Sequence, residues 1–287
     1  MDKYLNTFRE MISLRGLSAH TLKSYCTYIN AYLSFLQDVL HISPEAASWP
    51  QMRDFLSQIQ QQRNLSDRTI NCCRAQLKFF TVYVLHKPWD DSQIPVRRFD
   101  TYLPFVPTHE DTMRFLHAVQ DQKAHAILCL MYSSGLRAGE ACALRYEDVS
   151  RKDMRIHISH AKNRSDRFSP LSPHALSVLT DYWRSCGRPM GWLFPQQTTQ
   201  EKHIYPQFLD RHIRKAEESL GWPHRFSCHT LRHAYATHLY EQGTDLLTIK
   251  HLMGHKSIQS TTIYISLAHS LPQTVVSPFD RGGDFFG

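Results

Sequence analysis

Four prolines, at positions 88, 95, 104 and 107, interrupt a chain of 287 residues that is helically periodic on both sides of them. Proline donates no backbone hydrogen bond and drives the residue before it out of the helical region. The stretch from His86 to Thr108 therefore reads as connection, and the chain is expected to fold as two bodies. We place these at residues 1–98 and 108–270, joined by a linker at 99–107 and followed by a tail at 271–287. Two domains are also what this length favours.

In the first body Leu22, Tyr25, Ile29, Leu33 and Leu36 recur at three- and four-residue spacing, the mark of one apolar helix face. Met52, Phe55, Leu56 and Ile59 repeat the pattern, and Ile70, Cys73, Leu77, Phe80 and Val84 follow an N-cap candidate, Ser66. With Tyr4, Phe8 and Ile12 at the start, about four helices are predicted before residue 86. The second body opens with helices over 110–119 and 123–133. Met154, Ile156 and Ile158 then alternate, and a second strand ends at Phe168-Ser169-Pro170-Leu171. The polar turn Lys162 to Asp166 between them makes a small antiparallel hairpin. Helical patterns return over 173–186, 205–220, 229–242 before Gly243, and 245–253 before Gly254. The fold class expected is mainly α, with a small antiparallel β-sheet in the second body.

The longest apolar run, Ala126 to Tyr132, is far shorter than the ~20 residues a spanning helix needs, and Met1-Asp2-Lys3 opens no secretory signal. An intracellular, cytoplasmic protein with no membrane partner is expected. Seven cysteines, an odd number without a CxxC pair, read as reduced small hydrophobes. A net charge of +7, with Lys and Arg in excess in both bodies, suits a polyanionic partner.

Four stretches stand out for chemistry: Ser134-Gly-Leu-Arg-Ala-Gly-Glu140, Lys162 in the hairpin turn, His229-Thr-Leu-Arg-His233, and Gly254-His-Lys-Ser257 with Tyr264 nine residues after the histidine. Guanidinium groups match the paired oxygens of a phosphate and stabilise the added charge of a five-coordinate transition state. Tyrosine, lysine and histidine can supply a nucleophile and a proton for the leaving oxygen through a covalent intermediate. A phosphotyrosine link would conserve the bond for rejoining.

The order Arg, Lys, His-x-x-Arg, His, Tyr resembles that of the tyrosine recombinases, the family of the Xer proteins and phage integrases. Thr-Leu-Arg-His (230–233), Leu-Met-Gly-His-Lys-Ser (252–257) and Thr-Thr-Ile-Tyr (261–264) are similar to its second conserved box, and Ser134 to Glu140 to its first. Gly16 to Tyr25 is similar to the opening of its N-terminal core-binding domain. The resemblance implies a helical, SAM-like core-binding domain and a catalytic α domain closing around duplex DNA. It also implies a homo-tetramer on paired sites, strand exchange through a Holliday junction, and a tail passed between subunits. Tyr264 would be the nucleophile, and Arg137 and Arg232 would grip the scissile phosphate. Lys162 would protonate the leaving oxygen, His229 would act as general base or acid, and His255 would donate a hydrogen bond to the transition state. Glu140 would orient the site. No cofactor, metal or small-molecule substrate is implied.

Each residue also has an ordinary reading. Arg-x-x-Glu on a helix is usually a surface ion pair, and a tyrosine is usually packing. His229 and His233 stand at i and i+4, but eighteen histidines make chance pairs common and the zincin glutamate is missing. Lys162 lacks the glycines that usually flank the family's lysine, leaving Lys152 and Arg164 as alternatives. Two rival functions remain: a DNA-binding accessory protein without chemistry, and a type IB topoisomerase. The target, and the choice among integration, transposition and dimer resolution, stay open.

Overall fold

Apolar residues at every third or fourth position build four α-helices in the first unit of the computed structural model. The structure describes residues 1–16, 19–100, 102–159, 166–196 and 201–268. Lys162, Arg164 and the tail 271–287 lie outside the described residues. The chain divides into units Met1–Thr101 and Tyr102–Gly287.

The first unit holds α1 (Asp2–Leu14), α2 (Ala19–Ser34), which runs on into one π turn at Phe35–Val39, α3 (Trp49–Arg63) and α4 (Asp67–Tyr83). Phe8, Ile12, Ile29, Leu33, Leu36, Phe55, Leu77 and Phe80 meet in one core. Ser66 caps α4, its side chain accepting from the Thr69 N–H at 3.3 Å. The proline-bearing stretch that follows forms no helix or strand among the described residues. Its first half is tied to α4: the Asn71 amide donates to the Arg97 carbonyl and accepts from the Arg97 N–H, each at 2.9 Å. Ile94 is buried in the same core.

The second unit is built around α6 (Gln122–Ser134), whose Ala124, Ala126, Ile127, Leu128, Leu130 and Met131 are all buried. A helix apolar on every side belongs at the centre of a bundle. It packs on α5 (His109–Ala118), α8 (Pro173–Ser185), α9 (Gln207–Leu220) and α10 (Cys228–Glu241). The short α7 (Ala138–Cys142) follows α6, and α11 (Leu246–Met253) and α12 (Gln259–Leu267) close the described chain. Val106, just before α5, is buried with α10, α11 and α12, and the Pro107 carbonyl lies 3.1 Å from Nε2 of His238.

The expected antiparallel hairpin is present and gains one short further strand. The sheet has three antiparallel strands in the order β1 (Val149–Ser150), β2 (Arg155–Ile158) and β3 (Arg167–Pro170), with β2 and β3 forming the hairpin. Two residues of β1 are too few to show alternation in a sequence. On β3 the pattern is inverted, for Arg167 and Ser169 are buried and Phe168 is 48 % exposed. The guanidinium of Arg155 covers the Phe168 ring at 4.4 Å. Reciprocal hydrogen bonds fix β3 to the end of α6: Ser169 Oγ donates to the Ser134 carbonyl, and Ser134 Oγ donates to that of Pro170 at 2.7 Å.

Candidate active site

Helix α6 ends at Gly135, whose φ of +61° is left-handed, and a Cβ there would lie 2.4 Å from the ring of Tyr235. Only glycine serves at this corner. The corner delivers Arg137 to the N-cap of α7 in an extended conformation (ψ 149°). Glu140 reaches back to it, accepting from the Arg137 N–H at 2.8 Å and from Nη1 at 2.7 Å. Nη2 of Arg137 donates to the Gly254 carbonyl at 3.3 Å. The pair that the ordinary reading places on a surface thus lies in a half-buried site, with the Glu140 side chain 8 % exposed.

Arg167 grips the same carboxylate from β3, with Nη1 3.0 Å from Oε1 and Nη2 2.7 Å from Oε2. Burial raises the Glu140 pKa, but the bonds and charge of Arg167 and then Arg137 outweigh it and pull the carboxyl down to about 2. Arg167 Nε also donates to the Leu252 carbonyl at 3.2 Å, and its Cδ lies where a Cβ on Gly254 would come within 2.9 Å.

From α10, Arg232 enters almost wholly buried. Its Nη1 donates to the Gly135 carbonyl and its Nη2 to the Met253 carbonyl, with His255 Nε2 at 3.5 Å. Burial, with Arg137 nearby, lowers its pKa to about 10, so it stays charged at neutral pH. His229 stands one turn earlier on α10 and is exposed. His255 follows the left-handed Gly254, which caps α11 at φ +60°. Its Nδ1 lies 3.0 Å from Thr261 Oγ1, and burial together with Arg232 and Arg137 pushes its pKa down to about 4. The ring is neutral near pH 7. Since a guanidinium only donates, Nε2 accepts from Arg232 and Nδ1 carries the proton to Thr261.

Tyr264 lies on α12, 1 % exposed, its ring stacked on His255 and 5.9 Å from that of His233. Burial raises the phenol to about 12 while the charges of Arg232 and Arg137 pull the other way. The structure therefore gathers Arg137, Glu140, Arg232, His255 and Tyr264 within one unit of one chain, with His229 on the adjoining turn. Lys152 sits exposed in the β1–β2 turn. Among the described residues no three His, Cys, Asp or Glu side chains converge as a metal ion requires.

Sequence reasoning missed two participants and one element. Arg167 precedes an apolar residue in a strand and carries no motif signal; only the inverted alternation of β3 brings it inward. His233, which the sequence marks only as one of a common i, i+4 histidine pair, packs beside Tyr264. The helix α12 that carries Tyr264 gives no helical signal in the sequence, because its polar residues Gln259, Ser260, Thr261 and Thr262 obscure any apolar stripe.

Residues 107–270 match the phage integrase family, and residues 4–91 match the phage integrase N-terminal SAM-like domain. A Sinorhizobium fredii protein with the provisional name integrase/recombinase y4qK is 30 % identical over 94 % of this chain and 86 % of its own length. Tyrosine recombinase XerC of Chlamydia caviae is 28 % identical over 90 % of this chain and 92 % of its own length. Among solved structures, a lambda integrase dimer bound to a COC′ core site superposes with a TM-score of 0.75 at 16 % identity, covering 96 % of this chain and 99 % of that one.

Proposed function

Because the chain belongs to the phage integrase family, we propose that it is a site-specific tyrosine recombinase that cuts and rejoins DNA strands through a covalent bond to Tyr264. One observation carries this reading above the others. Two guanidinium groups, from α7 and α10, meet the segment Met253 to His255, and a tyrosine of the same chain stacks on His255.

The phenolic oxygen of Tyr264 attacks the scissile phosphorus, and Arg137 and Arg232 bind the nonbridging oxygens as negative charge accumulates. The bond to the 5′ oxygen breaks, leaving a 3′-phosphotyrosyl ester and a 5′ hydroxyl. Tyr264 must lose a proton and the leaving oxygen must gain one. His229, exposed at the start of α10, is assigned to the first transfer and Lys162 to the second. His255 neighbours the attacking ring and is assigned to donate a hydrogen bond to the transition state, which requires its proton to move from Nδ1 to Nε2 when the phosphate takes up Arg232. Rejoining reverses these steps with a 5′ hydroxyl as nucleophile, so no external energy is required.

Residues 1–98 act as the DNA-gripping core-binding domain and residues 108–270 as the catalytic domain, with 99–107 between them. The match of residues 4–91 to the SAM-like domain and the excess of Lys and Arg in both parts support this. Four copies on two DNA sites exchange strands in pairs through a Holliday junction, and the tail 271–287 passes between neighbours.

The test is trapping on nicked suicide DNA, with the site first found by sequencing covalent adducts from the native genome. The wild type forms an adduct, and Tyr264→Phe binds the site and forms none. An adduct with Tyr264→Phe would mean another nucleophile. Absence of any adduct with the wild type would favour the accessory protein, and relaxation of any plasmid by a monomer would favour a type IB topoisomerase.

A further inference from the structure

We propose that Arg167 is a positioning residue of this site, which sets Arg137 by clamping Glu140 and joins that arm to the segment carrying His255. The inference rests on the reading of Arg137 as a phosphate-gripping group.

Glu140 is the only side chain among the described residues that bonds both the backbone and the guanidinium of Arg137. Its carboxylate oxygens are each taken by one arm of the Arg167 fork, and both side chains are nearly excluded from water, at 5 % and 8 % exposure. Such a bidentate contact fixes the plane and rotation of the carboxylate, which a single ammonium cannot do. Arg137 is thus aimed by a residue two steps removed from any phosphate.

The clamp also has a fixed base. Ser169 and Ser134 pin β3 to the end of α6 by reciprocal bonds, so the Arg167 backbone cannot follow a drifting Glu140. At its other edge Nε of Arg167 donates to the Leu252 carbonyl, and the Arg167 side chain fills the space that a Cβ on Gly254 would need. The carbonyls of Met253 and Gly254, next in the chain, receive Arg232 and Arg137. One side chain therefore sets the spacing between α7 and the turn after α11, where both proposed phosphate ligands are anchored.

The experiment measures covalent adduct formation at saturating suicide DNA, site affinity, thermal stability and the pH–rate profile for the full chain. The variants are Arg167→Met, Arg167→Lys, Glu140→Gln and Glu140→Gln/Arg167→Met. A misplacement of about 1 Å in an active site costs on the order of 100-fold in rate, so Arg167→Met is expected to slow adduct formation by about that factor while affinity stays within about threefold. Arg167→Lys, which keeps charge but not the fork, is expected to fall between Arg167→Met and wild type.

The pH profile separates positioning from packing. Without Arg167 the buried Glu140 carboxyl takes up a proton at higher pH, so the acid side of the Arg167→Met profile moves upward. Glu140→Gln/Arg167→Met has no carboxyl to titrate, loses that limb, and is no slower than the slower single variant. It also replaces a buried ion pair by a neutral one, a change folds commonly tolerate.

An Arg167→Met protein that is folded and matches wild type in saturating rate and acid limb overturns the proposal. So does a double variant whose losses multiply, since Arg167 would then act apart from Glu140. If Arg137→Ala itself leaves adduct formation intact, the reading of Arg137 fails first. A slow Arg137→Ala beside an unaffected Arg167→Met refutes only the positioning role.

Discussion

The imidazole of His255 and the phenol of Tyr264 stack within one chain, their centroids 6.2 Å apart and their planes inclined by 13°. The histidine is neutral in this stack, with its pKa pushed from 6.5 to about 4 by burial and by Arg232 and Arg137. The unfolded chain therefore takes up that proton first as pH falls. Stability from this group is complete above pH 6.5 and is lost as pH falls toward 4.

Thermal melting across this range should show wild-type stability declining, and His255→Gln should decline less steeply. The variant removes only part of the slope, because His125, His212 and His233 also carry pKa values lowered by burial. Glu140→Gln should instead flatten the profile at lower pH, where a carboxyl displaced from 4.5 to about 2 titrates. Parallel curves for His255→Gln and wild type would contradict the buried, neutral imidazole.

Gly135 and Gly139 stand four residues apart and make opposite demands. At Gly135 an added Cβ meets Tyr235 at 2.4 Å and Met253 Sδ at 3.1 Å, on a left-handed backbone. At Gly139 nothing lies within 4 Å, and the backbone is helical. Urea unfolding should find Gly135→Ala destabilised by about 2–4 kcal/mol. Gly139→Ala should be neutral or more stable by about 0.5–1 kcal/mol. Equal effects would mean that the corner after α6 is not the constraint described.

Much of this was legible in the residues themselves. Long apolar periodicities in α2, α3 and α4 announce helices because burial of one face decides their conformation. The order of Arg137, Arg232, His255 and Tyr264 announces a phosphate chemistry because few other tasks need those groups together. Legibility ends where burial and residue type disagree. Phe168 is half exposed under Arg155, while Arg167 lies inside because Glu140 supplies its counter-charge. No local rule distinguishes that arginine from a surface one. The short β1 and the polar first turn of α12 likewise take their form from what packs against them.

The cationic charge at the proposed phosphate site comes from side chains, and Arg232 remains protonated at neutral pH since its pKa falls only to about 10. Adduct formation on suicide DNA should therefore proceed unchanged in excess EDTA. A loss restored by Mg²⁺ would show that the reaction needs an ion that the arginines do not replace.

Arg232 offers the sharpest separation of fold from chemistry, because its fork serves both. It is 6 % exposed and bridges the Gly135 and Met253 carbonyls, joining the corner before α7 to the end of α11. Arg232→Ala leaves those carbonyls without that donor, which should cost about 2–4 kcal/mol in urea unfolding. Adduct formation at saturating DNA should drop by at least about 100-fold, since the interaction strengthens as charge develops on the phosphate. Arg232→Lys keeps a buried cation that can satisfy one carbonyl, so much of the stability should return. A lysine ammonium cannot meet two phosphate oxygens in the geometry of a fork, and adduct formation should remain about tenfold or more below wild type. Should stability and rate recover together in Arg232→Lys, the residue would act on cleavage through the fold alone, and its place as a phosphate ligand would be lost.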